Sequence, residues 1–175
     1  MRLPWAPYHG ERAGIKLHVA LRAETVQPLN VMETIGSRHD RPVSEHLEHP
    51  DYIMVMDRAY GKLERLDRYK TDKQSFVIRL RDFEDREIRV VTDLMQVTPE
   101  QIAQIYKARW QIEVFFRWIK QHLNIPKLFG TTENAVYGKL FVALMVYVLF
   151  KWLFDSAKHA LPRHAITHIL DALCA

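Results

Sequence analysis

The sequence predicts an α/β fold, with a mixed sheet in the first half of the chain and a block of helices in the second. Three observations predict it. Apolar and polar residues alternate over 14–21, the period of a half-buried strand. Short apolar runs bounded by turn residues recur at 51–56, 75–81 and 86–94. After Thr98 the pattern lengthens into helical stretches. Strands mixed with helical layers make an α/β or α+β sandwich. The expected organisation is one domain of 175 residues, sheet-rich over 14–94 and helical over 98–173.

Taken in order, Ile15, Leu17, Val19 and Leu21 share one face of the first strand, and Lys16, His18 and Ala20 the other. "RAET" turns the chain into a partner strand over 26–35, where Pro28 favours an edge or a strand start. Asp40 caps and Pro42 opens a short helix over 40–49. "DYIMVM" (51–56) reads as a strand buried on both faces. A helix follows over 62–70, then strands over 75–81 and 86–94. Thr98-Pro99-Glu100-Gln101 is a capping box, and the helix it opens is expected to run to about Leu123. Helices over 132–156, capped by Thr131 or Thr132, and over 164–173 complete the chain. The apolar run 140–150 is eleven residues long. A membrane span needs about 20, so it reads as a buried helix and no membrane partner is expected.

Composition sets bounds. At 48% hydrophobic and 26% charged the chain is globular, and a net charge of +4 does not by itself indicate a nucleic-acid partner. Local distribution says more. Between Thr98 and Gly130, Lys107, Arg109, Arg117, Lys120 and Lys127 face only Glu100 and Glu113. A single cysteine, Cys174, excludes a disulfide within the chain and a cysteine-rich zinc site, and suits a reducing cytoplasm. "MRLPWAPYHG" lacks the apolar stretch of a signal peptide. His164 and His168 stand four apart but lack the further ligands zinc needs. His39, His46 and His49 read as surface residues, and the aromatics between Phe115 and Phe154 read as core.

"YKARWQIEVFFRWIK" (106–120) places one glutamate in a basic, aromatic helix. At about 100° per residue, Tyr106, Arg109, Glu113 and Lys120 fall in a stripe of roughly 60°. Ile112, Phe115 and Ile119 lie opposite. An Arg109–Glu113 pair would contribute only about 0.2–0.5 kcal/mol and leaves Lys120 unexplained. Arginine, lysine and tyrosine suit phosphate, whereas a carboxylate among them repels it unless a divalent cation lies between. Mg²⁺ is held by one or two carboxylates plus phosphate oxygens. The scheme needs a second carboxylate. Asp57, at the carboxyl end of the 51–56 strand, is the best candidate; its bland alternative is a cap on the following turn.

The tyrosine-x2-arginine-x3-glutamate-x6-lysine spacing, with "GIKLHV", "DRAYGK", "VVTDL" and "LFGTTENAV", resembles the DDE-type bacterial transposases of the insertion-sequence-four group over most of the chain. The resemblance implies a ribonuclease-H-like core and three acids that hold two Mg²⁺ or Mn²⁺ ions. It also implies cleavage of double-stranded DNA at transposon ends, joining to a target, and work in the bacterial cytoplasm, commonly as a homodimer. Asp57 matches the second acid and Glu113 the third, both as metal ligands. Tyr106, Arg109 and Lys120 match the residues that contact DNA phosphates. Trp110 is assigned to packing. No acid precedes Glu11, so the first catalytic Asp and its strand are expected to be missing. A β-rich insertion is expected to be missing near Arg81–Asp82, with "DFEDRE" as a leftover turn. Two acids in place of three imply impaired metal chemistry.

Overall fold

In a computed structural model, residues 3, 5–6, 14–37, 43, 45–80, 88–122 and 130–158 are described. The architecture is mixed α/β, as the sequence predicts, and is consistent with the ribonuclease-H-like core that the resemblance implies. Two compact units divide the chain: Met1–Arg38 with Ile112–Ala175, and His39–Gln111.

In the first unit, β1 (Ile15–Arg22) and β2 (Gln27–Ile35) form an antiparallel hairpin. Its register slips between Ala20 and Leu21, so Ala20 faces Asn30 but Leu21 faces Pro28. A bulge beside Pro28 suits a residue that has no N–H to give the ladder. Leu17, Val19 and Leu21 pack inward as their alternation predicts. The opposite face is not open, because His18 is buried and its Nε2 lies 2.9 Å from the Thr34 hydroxyl. The turn carries Val26 in the left-handed region at φ 55°, a strained place for a β-branched side chain.

Two helices cover the hairpin. α3 (Trp110–His122) contributes Phe115 and Ile119, and α4 (Glu133–Ala157) contributes Leu144 and Tyr147, to one core with β1 and β2. Thr132 caps α4 by accepting from the Ala135 N–H, as expected. The expectation of a buried helix over 140–150 needs correction. Val136, Leu140, Ala143, Leu144 and Tyr147 are buried, but Phe141, Val142, Met145, Leu149, Phe150, Trp152 and Leu153 are exposed. By length and composition α4 could cross a membrane. The aromatics divide likewise: Phe115 and Tyr147 are core, whereas Phe141, Phe150 and Trp152 are surface.

The second unit holds β3 (Met54–Met56), α1 (Leu63–Asp72), β4 (Phe76–Arg79), β5 (Val90–Thr92) and α2 (Pro99–Ala108). The sheet order is β3-β4-β5, with β3 parallel and β5 antiparallel to β4. The strand expected to be buried on both faces is not the 51–56 run, of which only three half-buried residues form β3. It is β4, whose Phe76, Val77 and Ile78 are buried. A central strand has a neighbour on each edge, and α1 adds Tyr69 and Leu66 above it. Side chains extend the ladder: the Phe76 N–H donates to Asp93, and the Thr92 hydroxyl donates to the Phe76 carbonyl, both at 2.7 Å. Val43 is buried and Glu45 helical, while Asp40 and Pro42 lie outside the described residues. So do the "DFEDRE" turn apart from its flanks, and the helix expected over 164–173.

Candidate active site

Asp57 follows β3 directly, at the carboxyl end of the parallel β3–β4 pair. Its carboxylate Oδ1 accepts the Arg58 N–H at 2.8 Å and caps a single 3₁₀ turn, Arg58–Tyr60. The capping role weighed for Asp57 is therefore present. It does not exhaust the group, since an ionised carboxylate has about four lone-pair sites. The turn closes with the Gly61 N–H on the Arg58 carbonyl, which holds Asp57 at a fixed place above the strand ends.

The capping box at the start of α2 is complete: Gln101 N–H donates to Thr98 Oγ1, and Thr98 N–H donates to Gln101 Oε1. The continuous helix expected to about Leu123 is interrupted at Arg109, and Leu123 lies outside the described residues. There the backbone stays right-handed, but the Arg109 N–H reaches the Tyr106 carbonyl three residues back. Such a tighter turn joins helices without proline or glycine. It places the Arg109 guanidinium 5.9 Å from the Tyr106 ring centre, a cation–π contact.

Tyr106 and Arg109 are among the residues that line an open groove of about 1220 Å³, together with residues of α2 and of the segment that carries β5. Ile88, Leu94, Met95 and Ile102 contribute apolar lining, and Lys107 and Trp110 also line it. Trp110, assigned to packing, is 55% exposed. The sequence reading missed the groove because an aromatic beside a core-facing stripe looks like part of the core.

Glu113 lies in the first turn of α3, and Lys120 two turns later. A separation of seven residues puts both on one face, and both are exposed, while Phe115 and Ile119 on the other side are buried. The structure thus brings Tyr106 to Arg109 and aligns Glu113 with Lys120. Asp57 belongs to the unit of Tyr106 and Arg109, and Glu113 to the other, with the boundary inside α3.

Asp57 and Glu113 offer hard oxygen donors of the kind Mg²⁺ takes, so the donor type fits the metal that the site residues imply. The number falls short of a three-acid set. Among the described residues no group of three or more His, Cys, Asp or Glu is gathered to hold a metal.

Comparison with known proteins supplies the context. The Transposase DDE domain family matches residues 4–149. The chain is 46% identical over 203 aligned positions to a Geobacillus stearothermophilus protein named as a probable transposase for insertion sequence element IS5377, covering 90% of this chain and 54% of that one. It is 25% identical over 199 positions to a Synechocystis protein provisionally named as transposase for insertion sequence element IS4SA, covering 91% and 57%. A Sinorhizobium fredii protein provisionally named transposase y4zB shares 54% identity over 50 residues, covering 29% and 14%. The chain spans about half the length of the first two relatives. Both alignments run longer than the 175 residues of this chain, so those relatives carry residues inside the matched stretch that it lacks. No solved structure matches. An acid at the end of a parallel strand pair, a Tyr-Arg pair at a helix joint and a Glu-Lys face beyond it thus occur in a chain that belongs to the DDE-domain transposase family.

Proposed function

We propose that this chain is a transposase catalytic-core segment that handles phosphodiesters in double-stranded DNA, cutting at transposon ends and transferring the freed 3′-hydroxyl to a target in the bacterial cytoplasm. Asp57 and Glu113 are the residues that would hold Mg²⁺ (or Mn²⁺). Bound there, the ion supplies charge neutralisation and activation of the attacking oxygen. Tyr106 and Arg109 hold one stretch of backbone by a hydroxyl and a guanidinium fork, and Lys120 adds a point charge on the Glu113 face. The observation that carries this reading is the position of Asp57 at the carboxyl end of β3 against β4, the usual ligand position of an open α/β sheet.

A second reading, a non-catalytic DNA-binding remnant, is favoured by the lack of a three-acid cluster among the described residues. One experiment separates the two. Nicking of end-sequence DNA is measured with Mg²⁺ or Mn²⁺ for the chain, for Glu113→Ala and for Asp57→Asn. Asparagine keeps the turn cap and discards the charge. Metal-dependent nicking lost in both variants supports the enzyme. Absence of nicking, with DNA bound more tightly by Glu113→Ala because a repelling charge has gone, supports the remnant. Nicking unaffected by either substitution refutes both acid assignments.

A further inference from the structure

We propose that Arg79 is a further phosphate-contacting residue of this chain, holding the DNA backbone beside Asp57. The proposal deepens the phosphodiester reading above and rests on it. Its ground is the register of the β3-β4-β5 sheet. Met54, Val55 and Met56 lie level with Phe76, Val77 and Ile78 in the parallel pair. One step further along both strands, Asp57 comes level with Arg79, on backbones about 4.8 Å apart. Met54, Met56, Phe76 and Ile78 pack with Tyr69 on the α1 face. Side chains alternate along a strand, and Asp57 is still extended, at φ −83° and ψ 169°. Asp57 and Arg79 therefore belong together to the opposite face. The turn that Asp57 caps lies against the same strand end: a Cβ at Gly61 would sit 3.5 Å from the Arg79 carbonyl and 3.5 Å from the Ile78 side chain.

That face also carries the groove. Arg79 pairs with Val90, and Val77 with Thr92. Directly paired residues share a face, and Val90 and Thr92 line the groove that Tyr106 and Arg109 line. Arg79 thus stands on the central strand, with Asp57 beside it on one edge and Val90 on the other. Tyr106 and Arg109 supply phosphate donors from a helix; Arg79 supplies one from the sheet, next to the acid. All of them lie in one compact unit, His39–Gln111.

A structural role accounts for Arg79 less well. It is half-buried, so it is not a freely solvated surface cation. Among the described residues no ion pair joins it to Asp57 or to another carboxylate, and Asp57 Oδ1 takes the Arg58 N–H. A guanidinium and a carboxylate held level without pairing suit a third group. The guanidinium fork matches two phosphate oxygens, and an ion at Asp57 takes phosphate oxygens as further ligands.

Binding of the full chain to a short fluorescent DNA duplex, measured by anisotropy in EDTA over a range of salt, tests the proposal. Arg79→Gln should weaken binding about tenfold. It should also make the plot of log affinity against log salt shallower by about one unit, the share of one phosphate contact. Arg79→Lys should restore the slope, because the charge returns. Circular dichroism checks the fold, and Arg79→Met, whose apolar stem suits a half-buried strand position, replaces Arg79→Gln where that chain does not fold. Placement beside Asp57 has its own readout. Without metal, Asp57→Asn should tighten binding by removing a repelling charge, and should not do so in an Arg79→Gln background, where the phosphate is no longer held there. An unchanged slope in a folded Arg79→Gln chain, an equal Asp57→Asn gain in both backgrounds, or loss of the fold in both neutral variants would each overturn the assignment. A wild-type chain that binds no duplex overturns the phosphodiester reading, and Arg79 with it. A shallower slope without nicking supports the Arg79 contact and removes only the catalytic part of that reading.

Discussion

Tyr147→Phe is the cleanest probe of the core that supports the Glu113 helix. Tyr147 is 7% exposed, and its ring meets Phe115 edge-on at 4.8 Å and Trp118 at 5.1 Å. Its hydroxyl donates to the Val26 carbonyl at 2.7 Å. Phenylalanine keeps both ring contacts and deletes only that bond, so the loss is a net hydrogen bond, about 0.5–1.5 kcal/mol. The upper part of that range is expected. Val26 is held at φ 55°, a conformation that costs about 1–3 kcal/mol, and the bond helps to hold it. With a urea slope of about 2 kcal/mol/M the midpoint falls by about 0.5–0.75 M. Tyr147→Ala, which also empties the ring site, should cost about 3–5 kcal/mol. The hydroxyl can be followed directly as well. Burial, aided by the Asp155 charge, pushes it up to about 12, against an ordinary value of about 10. Because the folded value is raised, its stabilisation is full below about pH 10 and is lost as pH rises through about 12. Phenolate absorbance should lose one late-titrating tyrosine in Tyr147→Phe, while Tyr69, raised further by burial and by its hydrogen bond to Glu48, still titrates late. A Tyr147→Phe midpoint equal to wild type, with as many late-titrating phenols in the variant as in the wild type, would refute the reasoning.

Thr98→Ala should destabilise α2 by about 1 kcal/mol, read as a lower urea midpoint, because half of the capping box is lost. Lys73 sits at φ 55° past the end of α1, and Lys73→Gly should stabilise by about 0.5 kcal/mol, read as a slightly higher thermal midpoint, as a left-handed penalty disappears. Trp110→Ala should cost under about 1 kcal/mol, because the side chain is mostly exposed; a core-sized loss by urea titration would restore its packing assignment. The hydrogen bond from Lys151, with the charges of Lys151 and Lys158, holds Asp155 below the usual carboxylate range. Its stabilisation is therefore present above about pH 4 and lost as pH falls through the lower folded value. Asp155→Asn should flatten that acid limb in a pH series of melting temperatures.

Local patterns were legible where the cause is local. The alternation of β1, the Thr98–Gln101 cap and the Thr132 cap each depend on residues within a few positions, and each is present. What failed needed a neighbour. "DYIMVM" and "FVIR" look alike as apolar runs, yet among the described residues only the second has a strand on both sides. His18 was placed on the polar face because histidine is polar; burial next to Thr34 is a property of what covers that face, which alternation does not encode. The apolar density of 140–150 was read as burial all round, but a helix docked on one hairpin hides one side only.

The site divides along the same line. Residue types and spacing single out Tyr106, Arg109, Glu113 and Lys120 as candidates, because phosphate and hard cations call for groups of those kinds. A wheel of uniform turns then aligns all four, and the tighter turn at Arg109 removes the premise. Within each helix the alignment survives: Tyr106 with Arg109 on one side of the joint, Glu113 with Lys120 on the other. The joint therefore separates Tyr106 and Arg109 from Glu113 and Lys120 along the chain. At 1.5 Å and 100° per residue, one 3₁₀ step in place of an α step adds about 20° of rotation. That is a modest angle for packing, yet large beside the tolerance of about 10–20° that a catalytic constellation requires.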